Sequence, residues 1–255
     1  LFFLIIKFVV SKYNDSFFIL IIDNISIKFI YKAVFSNIMK HKTIQNLILI
    51  ENQIKNQIDN SKLPKIIAVS KTFKMENILP LIKHGHLNFG ENKVQEAVDK
   101  WSEEKNRNQN IKLHMVGKLQ TNKVKLAVKL FDYIHSVDTK KLAKKISEEQ
   151  NKINKDIKVF IQINIGNETQ KSGISKDDLV NFYNYCKEIN LNVIGLMCLP
   201  PSIDDSSIYF KEMELLSKKV NLYELSMGMS SDYLIAANNF STYLRIGTGI
   251  FGVRS

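Results

Sequence analysis

From residue 43 onward, short apolar runs rich in β-branched residues alternate with stretches of helical spacing, and few architectures accept that order. The strand-like runs fall at 65–71, 87–89, 112–115, 133–135, 158–163, 192–197, 223–226 and 243–246. Helical spacing covers 43–58, where Leu47, Ile50, Ile54 and Ile58 recur at three- and four-residue intervals. Further helices are expected at 75–83, 92–104, 121–130, 140–151, 176–188, 206–219 and 231–238. Eight strands with helices between them is the count of a single (β/α)₈ TIM-type barrel, an α/β fold, here with an additional N-terminal helix. The competing architecture is an open doubly wound sheet, which usually has fewer strands and a Gly-rich first turn. No G-x-G-x-x-G follows 65–71.

In such a barrel the βα loops at the carboxyl ends of the strands form one mouth, so residues at strand ends are the candidates for chemistry. The first strand-like run closes on Lys71. A lysine there is either a solvated strand-end residue or a flexible amine poised to form a Schiff base with a carbonyl. The last two strands run into Ser226-Met227-Gly228-Met229-Ser230-Ser231-Asp232 and Arg245-Ile246-Gly247-Thr248-Gly249-Ile250-Phe251-Gly252. Small residues, hydroxyls and helix-start N–H groups in both loops suit a phosphate, although Ser230 or Ser231 could equally cap a helix. Asn92 follows the second strand and either reaches the pocket or caps the next helix. His114 and His135 read as satisfied structural residues. Arg245 stands at an interior-type position on the eighth strand and needs an acceptor, for which an aromatic ring nitrogen is one candidate.

Composition narrows the class. The apolar fraction of 45% and charged fraction of 24% are those of an ordinary globular protein. The two cysteines, Cys186 and Cys198, form no C-x-x-C pair, which argues against a disulfide framework or zinc site and fits a reducing cytoplasm. A net charge of +11 invites a nucleic-acid reading, but Lys140, Lys141, Lys144 and Lys145 sit on a helical stretch with acids nearby, and no specific nucleic-acid motif accompanies them. Residues 1–38 differ from the rest: apolar runs at 1–10 and 17–22 are too short to span a bilayer, and a basic n-region and small-residue cleavage site are missing. The expectation is an atypical leader upstream of a natural start at Met39; a membrane-surface anchor is the alternative.

The ordered set of motifs resembles the YggS/PROSC family of pyridoxal phosphate homeostasis proteins, similar in fold to the N-terminal barrel domain of alanine racemase. The matching segments are Ala68-Val69-Ser70-Lys71-Thr72, Phe89-Gly90-Glu91-Asn92-Lys93-Val94-Gln95-Glu96 and His114-Met115-Val116-Gly117-Lys118-Leu119-Gln120-Thr121-Asn122-Lys123. Gln162-Ile163-Asn164-Ile165, Lys171-Ser172-Gly173, Gly195-Leu196-Met197, Leu225-Ser226-Met227-Gly228-Met229-Ser230 and Arg245-Ile246-Gly247-Thr248 with Phe251-Gly252 complete the set. The resemblance runs from about Met39 to Arg254.

That resemblance implies a single domain over 39–255 that holds pyridoxal 5′-phosphate as an aldimine on Lys71. It implies a phosphate cradle at Ser230, Gly247 and Thr248, Arg245 facing the pyridine nitrogen, and Asn92 and Met229 lining the pocket. An arginine holds its proton, so the ring nitrogen stays largely unprotonated and the ring is a weaker electron sink. The sequence ends at Ser255, and the expectation is that no second, β-rich domain of the racemase kind supplies an opposing tyrosine. The implied role is a cytoplasmic, monomeric carrier in pyridoxal phosphate homeostasis and supply, with apoenzymes that need the cofactor as partners and no membrane or specific nucleic acid. The alternatives are an amino-acid racemase or Schiff-base aldolase using Lys71, and a nucleic-acid module driven by charge.

Overall fold

The structure is a computed structural model that describes residues 41–58, 63–201 and 205–253. The expected leader over 1–38 and the start at Met39 lie outside the described residues. Eight strands, all parallel, close into a barrel in the order β1 to β8. They are β1 Lys65–Val69, β2 Asn88–Glu91, β3 Lys112–Met115, β4 Tyr133–Val137, β5 Lys158–Ile163, β6 Val193–Cys198, β7 Glu224–Ser226 and β8 Tyr243–Ile246. Helix α1, Lys42–Gln57, precedes β1. Helices α2 Met75–His84, α3 Val94–Arg107, α4 Val124–Leu130, α5 Lys140–Lys152, α6 Leu179–Glu188, α7 Ser206–Lys219 and α8 Tyr233–Asn238 connect successive strands. A short helix, α9 Thr248–Phe251, follows β8.

Strand alternation divides the apolar residues into two cores. Ile66, Ala68, Phe89, Leu113, Ile134, Val159, Ile161, Leu196, Leu225, Leu244 and Ile246 face outward and pack beneath the helices, with Trp101 of α3 against Phe89 at a ring separation of 4.8 Å. Ile67, Val69, Tyr133, Phe160, Met197 and Tyr243 turn inward and fill the barrel. Helix α1 buries Ile44, Leu47, Ile50 and Ile54 along one stripe, which drives it onto the barrel. Asn46 Nδ2 donates to the Ile250 carbonyl at 2.9 Å, and the Tyr233 hydroxyl donates to Gln53 Oε1 at 2.5 Å, so α1 is tied to α9 and α8. The basic face of α5 carries its own partners: Lys145 pairs with Glu149 at 2.9 Å one turn on. No helix of the described residues is long and apolar enough to cross a membrane.

The element ends depart from the sequence reading in a consistent way. Strand β1 stops at Val69, because the chain turns at Thr72, whose φ is +68°. Strand β2 continues past the expected 87–89 run through Gly90 to Glu91; Gly90 is an inward position where Ile67 and Val69 fill the room a side chain would need. Helices α3, α6 and α8 begin two or three residues later than their polar first residues suggested.

Candidate functional site

The strands that lead to the candidate residues, β7, β8, β1 and β2, are successive neighbours in the barrel. In the register, Val69 of β1 lies beside Gly90 of β2, and Ala68 lies beside Ile246 of β8. Lys71 and Asn92 are each two residues beyond Val69 and Gly90, and Gly247 is one beyond Ile246. Ile67 and Val69 turn into the barrel, and Lys71 follows β1 in the turn at its carboxyl end. Asn92 is not a helix cap: the residue at the start of α3 is Lys93, and the backbone before Asn92 is held by the Val116 N–H donating to the Glu91 carbonyl at 2.9 Å. Gly247 abuts β1, where a Cβ would lie 3.4 Å from the Val69 carbonyl oxygen.

The loops after β7 and β8 are joined directly. Gly249 N–H donates to Ser230 Oγ at 3.1 Å, across nineteen residues of sequence. Ser230 therefore does not cap α8, whose first turn follows Asp232; Asp232 instead accepts from the Met229 N–H at 2.6 Å. Thr248 and the half-exposed Met229 border this seam. The Ser230 and Thr248 hydroxyls stand at this seam, and hydroxyls beside a helix start can donate to an anionic oxygen group.

Arg245 lies below the rim and is buried. Its Nη1 donates to Ser226 Oγ at 2.7 Å and its Nη2 to the Cys198 carbonyl at 2.8 Å, two of the five N–H groups of a guanidinium. Burial presses its pKa below the ordinary arginine value. The Ser226 hydroxyl, which accepts from Arg245, lies 2.8 Å from His135 Nδ1 and donates to it when His135 is neutral with its proton on Nε2. Asn88 Oδ1 only accepts, so His114 Nε2 donates to it at 3.2 Å, and a neutral His114 then accepts at Nδ1 from His135 Nε2 at 3.0 Å. One direction of donation runs from the mouth down the barrel axis. Burial holds both imidazoles well below the ordinary histidine range, reinforced at His114 by Lys65, Lys105 and His86 and at His135 by His114 and Arg245. Each ring is stacked, His114 on Tyr133 and His135 on Phe160, with centroids 4.3 Å apart in both cases.

A second network, which the sequence did not reveal, lies on the outer side of the β1 and β2 ends. Glu91 is fully buried, and its Oε1 accepts from Ser70 Oγ at 2.8 Å, Lys100 Nζ at 3.0 Å and Trp101 Nε1 at 2.9 Å. Its Oε2 is buried without a hydrogen-bond partner among the described residues. Residues 91, 96, 100 and 101 do show a spacing that brings Glu96 and Lys100 onto one helical face, but the partner strand could be known only from the fold.

Residues 46–255 match the family model for the alanine racemase N-terminal domain. The pyridoxal phosphate homeostasis protein of Pasteurella multocida is 35% identical over 225 residues, covering 82% of this chain and 97% of that protein. The chain belongs to this family. A second homeostasis protein, from Aquifex aeolicus, is 36% identical over 74% of this chain and 87% of its own length. Among solved structures, PipY of Synechococcus elongatus with pyridoxal phosphate bound is 30% identical, has a TM-score of 0.71 and covers 82% of this chain and 99% of its own. Alanine racemase of Clostridium difficile, at 16% identity and a TM-score of 0.64, covers 83% of this chain and 57% of its own, and shares the barrel fold.

Proposed function

We propose that the barrel over 39–255 binds pyridoxal 5′-phosphate and serves its homeostasis, holding the cofactor for delivery to apoenzymes that need it. Lys71 Nζ would attack the aldehyde carbon, form a Schiff base and release water. Ser230, Gly247 and Thr248 would hold the phosphate, Arg245 would face the ring nitrogen, and Asn92 and Met229 would border the ring. The residues present fit such a group: Lys71 follows β1, Ser230 and Thr248 bring hydroxyls after β7 and β8, and Arg245 stands on β8, next to β1 in the barrel. The single observation that carries the reading is the Gly249–Ser230 hydrogen bond, which joins two loops into one cradle beside the Lys71 strand end. Its support from outside is the pyridoxal phosphate seen in PipY and the family's name.

Holding rather than turnover is the favoured role. Relatives are named for homeostasis and not for a reaction. Arg245 keeps its proton and leaves the ring nitrogen a poor electron sink, which works against carbanion chemistry. We further place the protein in the cytoplasm as a monomer, without a membrane or a specific nucleic acid as partner. Titration with pyridoxal phosphate tests the reading. The protein should develop a visible absorption band that saturates at one equivalent, and Lys71→Ala should fold yet show none. A band of equal size in Lys71→Ala would refute the assignment.

A further inference from the structure

Thr72 is a β-branched residue held at a φ of +68°, a left-handed conformation that persists only where neighbours impose it. It follows Lys71 directly. Its N–H donates to Glu96 Oε1 at 2.5 Å, and its hydroxyl donates to the Lys71 carbonyl at 2.6 Å. On the other side of Lys71, the Ser70 carbonyl accepts from Lys100 Nζ at 2.9 Å. Lys100 also donates to Glu96 Oε1 at 2.9 Å and to the buried Glu91. Two side chains one turn apart on α3 therefore grip the peptide groups before and after Lys71. Glu96 stays below the ordinary glutamate range: partial burial works against this, and is outweighed by the Thr72 N–H and Lys100.

We propose that Glu96 and Lys100 are positioning residues for Lys71. They hold the left-handed turn at Thr72 and so keep the Lys71 amine aimed at the mouth, which sets how favourably an aldehyde ligand is captured. The inference rests on the Schiff-base reading above.

The test compares two ligands on the full chain: pyridoxal 5′-phosphate, and pyridoxine 5′-phosphate, an alcohol that cannot form an imine. Glu96→Ala and Lys100→Met should each weaken the aldehyde about tenfold, which is about 1.4 kcal/mol, and the alcohol by no more than about twofold. Glycine adopts a positive φ about as readily as a negative one. In a Thr72→Gly background the penalty of Glu96→Ala should therefore shrink to about twofold. Glu96 is partly exposed, so its replacement should fold even if Lys100→Met, which strips the buried Glu91 of its cation, does not. Equal weakening of both ligands, an undiminished penalty with glycine at 72, or no penalty at all would overturn the positioning role while the parent protein still bound its cofactor. Failure of the parent protein itself to form a visible band would overturn the Schiff-base reading and this inference together.

Discussion

Lowering the pH from about 7.5 to about 5.5 should remove about 3 kcal/mol of stability from the barrel. His114 and His135 are fully buried and hydrogen-bonded as neutral rings between Ser226 and Asn88. Their folded pKa values lie well below 6.5. Below pH ~6.5 the unfolded chain takes up a proton at each ring while the folded chain does not, so stability is complete above that value and falls as pH falls. One unit below, each ring contributes a loss of about 1.4 kcal/mol, and two give about 3 kcal/mol. His86, lowered to about 4 by burial, adds a smaller loss of the same sign because it is partly exposed. Asp138 opposes it, since burial raises its carboxyl, but mainly in the carboxylate range below this window. Urea unfolding at the two pH values is the assay. With a urea slope of about 3 kcal/mol per molar, the midpoint should drop by about 1 M. Proton NMR should show two imidazoles that do not titrate in the folded protein across this range. An unchanged midpoint, or two charged rings in the folded state at pH 5.5, would refute the reading of His114 and His135 as buried neutral rings.

Three further outcomes follow from the site. Thr248→Val with Ser230→Ala should weaken pyridoxal 5′-phosphate far more than unphosphorylated pyridoxal, by roughly 1.5–3 kcal/mol for each charged hydrogen bond lost, as read by parallel titrations; equal weakening would place the phosphate elsewhere. Trp101→Phe removes one of three donors to the buried Glu91 Oε1 and should cost about 2 kcal/mol in chemical denaturation. Purified protein in D₂O should exchange the alanine α-proton far more slowly than about one turnover per second; faster exchange, abolished by Lys71→Ala, would make the chain a racemase.

Much of the barrel was legible because its signals are local. β-branched runs such as Lys158–Ile163 and the apolar stripe of α1 declare their period within a few residues. Strand ends were less legible. The run at 87–89 stops before Gly90 because a glycine carries no apolar signal, and only barrel closure shows it as an inward position of β2. The sequence marked strand ends as the places to look, and two of those loops are joined by the Gly249–Ser230 hydrogen bond. The supporting shell was not legible. Glu91 and Trp101 meet because β2 and α3 pack together, and Ser226, His135 and His114 meet because strands 91 and 112 residues apart in sequence close one cylinder. The sequence reading treated those histidines as satisfied structural residues; it could not show that their satisfaction runs in one line to Arg245. Likewise Arg245 finds two of its acceptors within the protein, Ser226 and Cys198.

Borohydride reduction of the protein loaded with pyridoxal 5′-phosphate, followed by peptide mass analysis, tests the central assignment most directly. Reduction fixes a Schiff base as a stable secondary amine on the lysine that formed it. The pyridoxyl phosphate mass should appear on the peptide carrying Lys71, at close to one per chain, and on no other of the chain's lysines. The same mass spread over surface lysines, or carried by a different single lysine, would contradict the account.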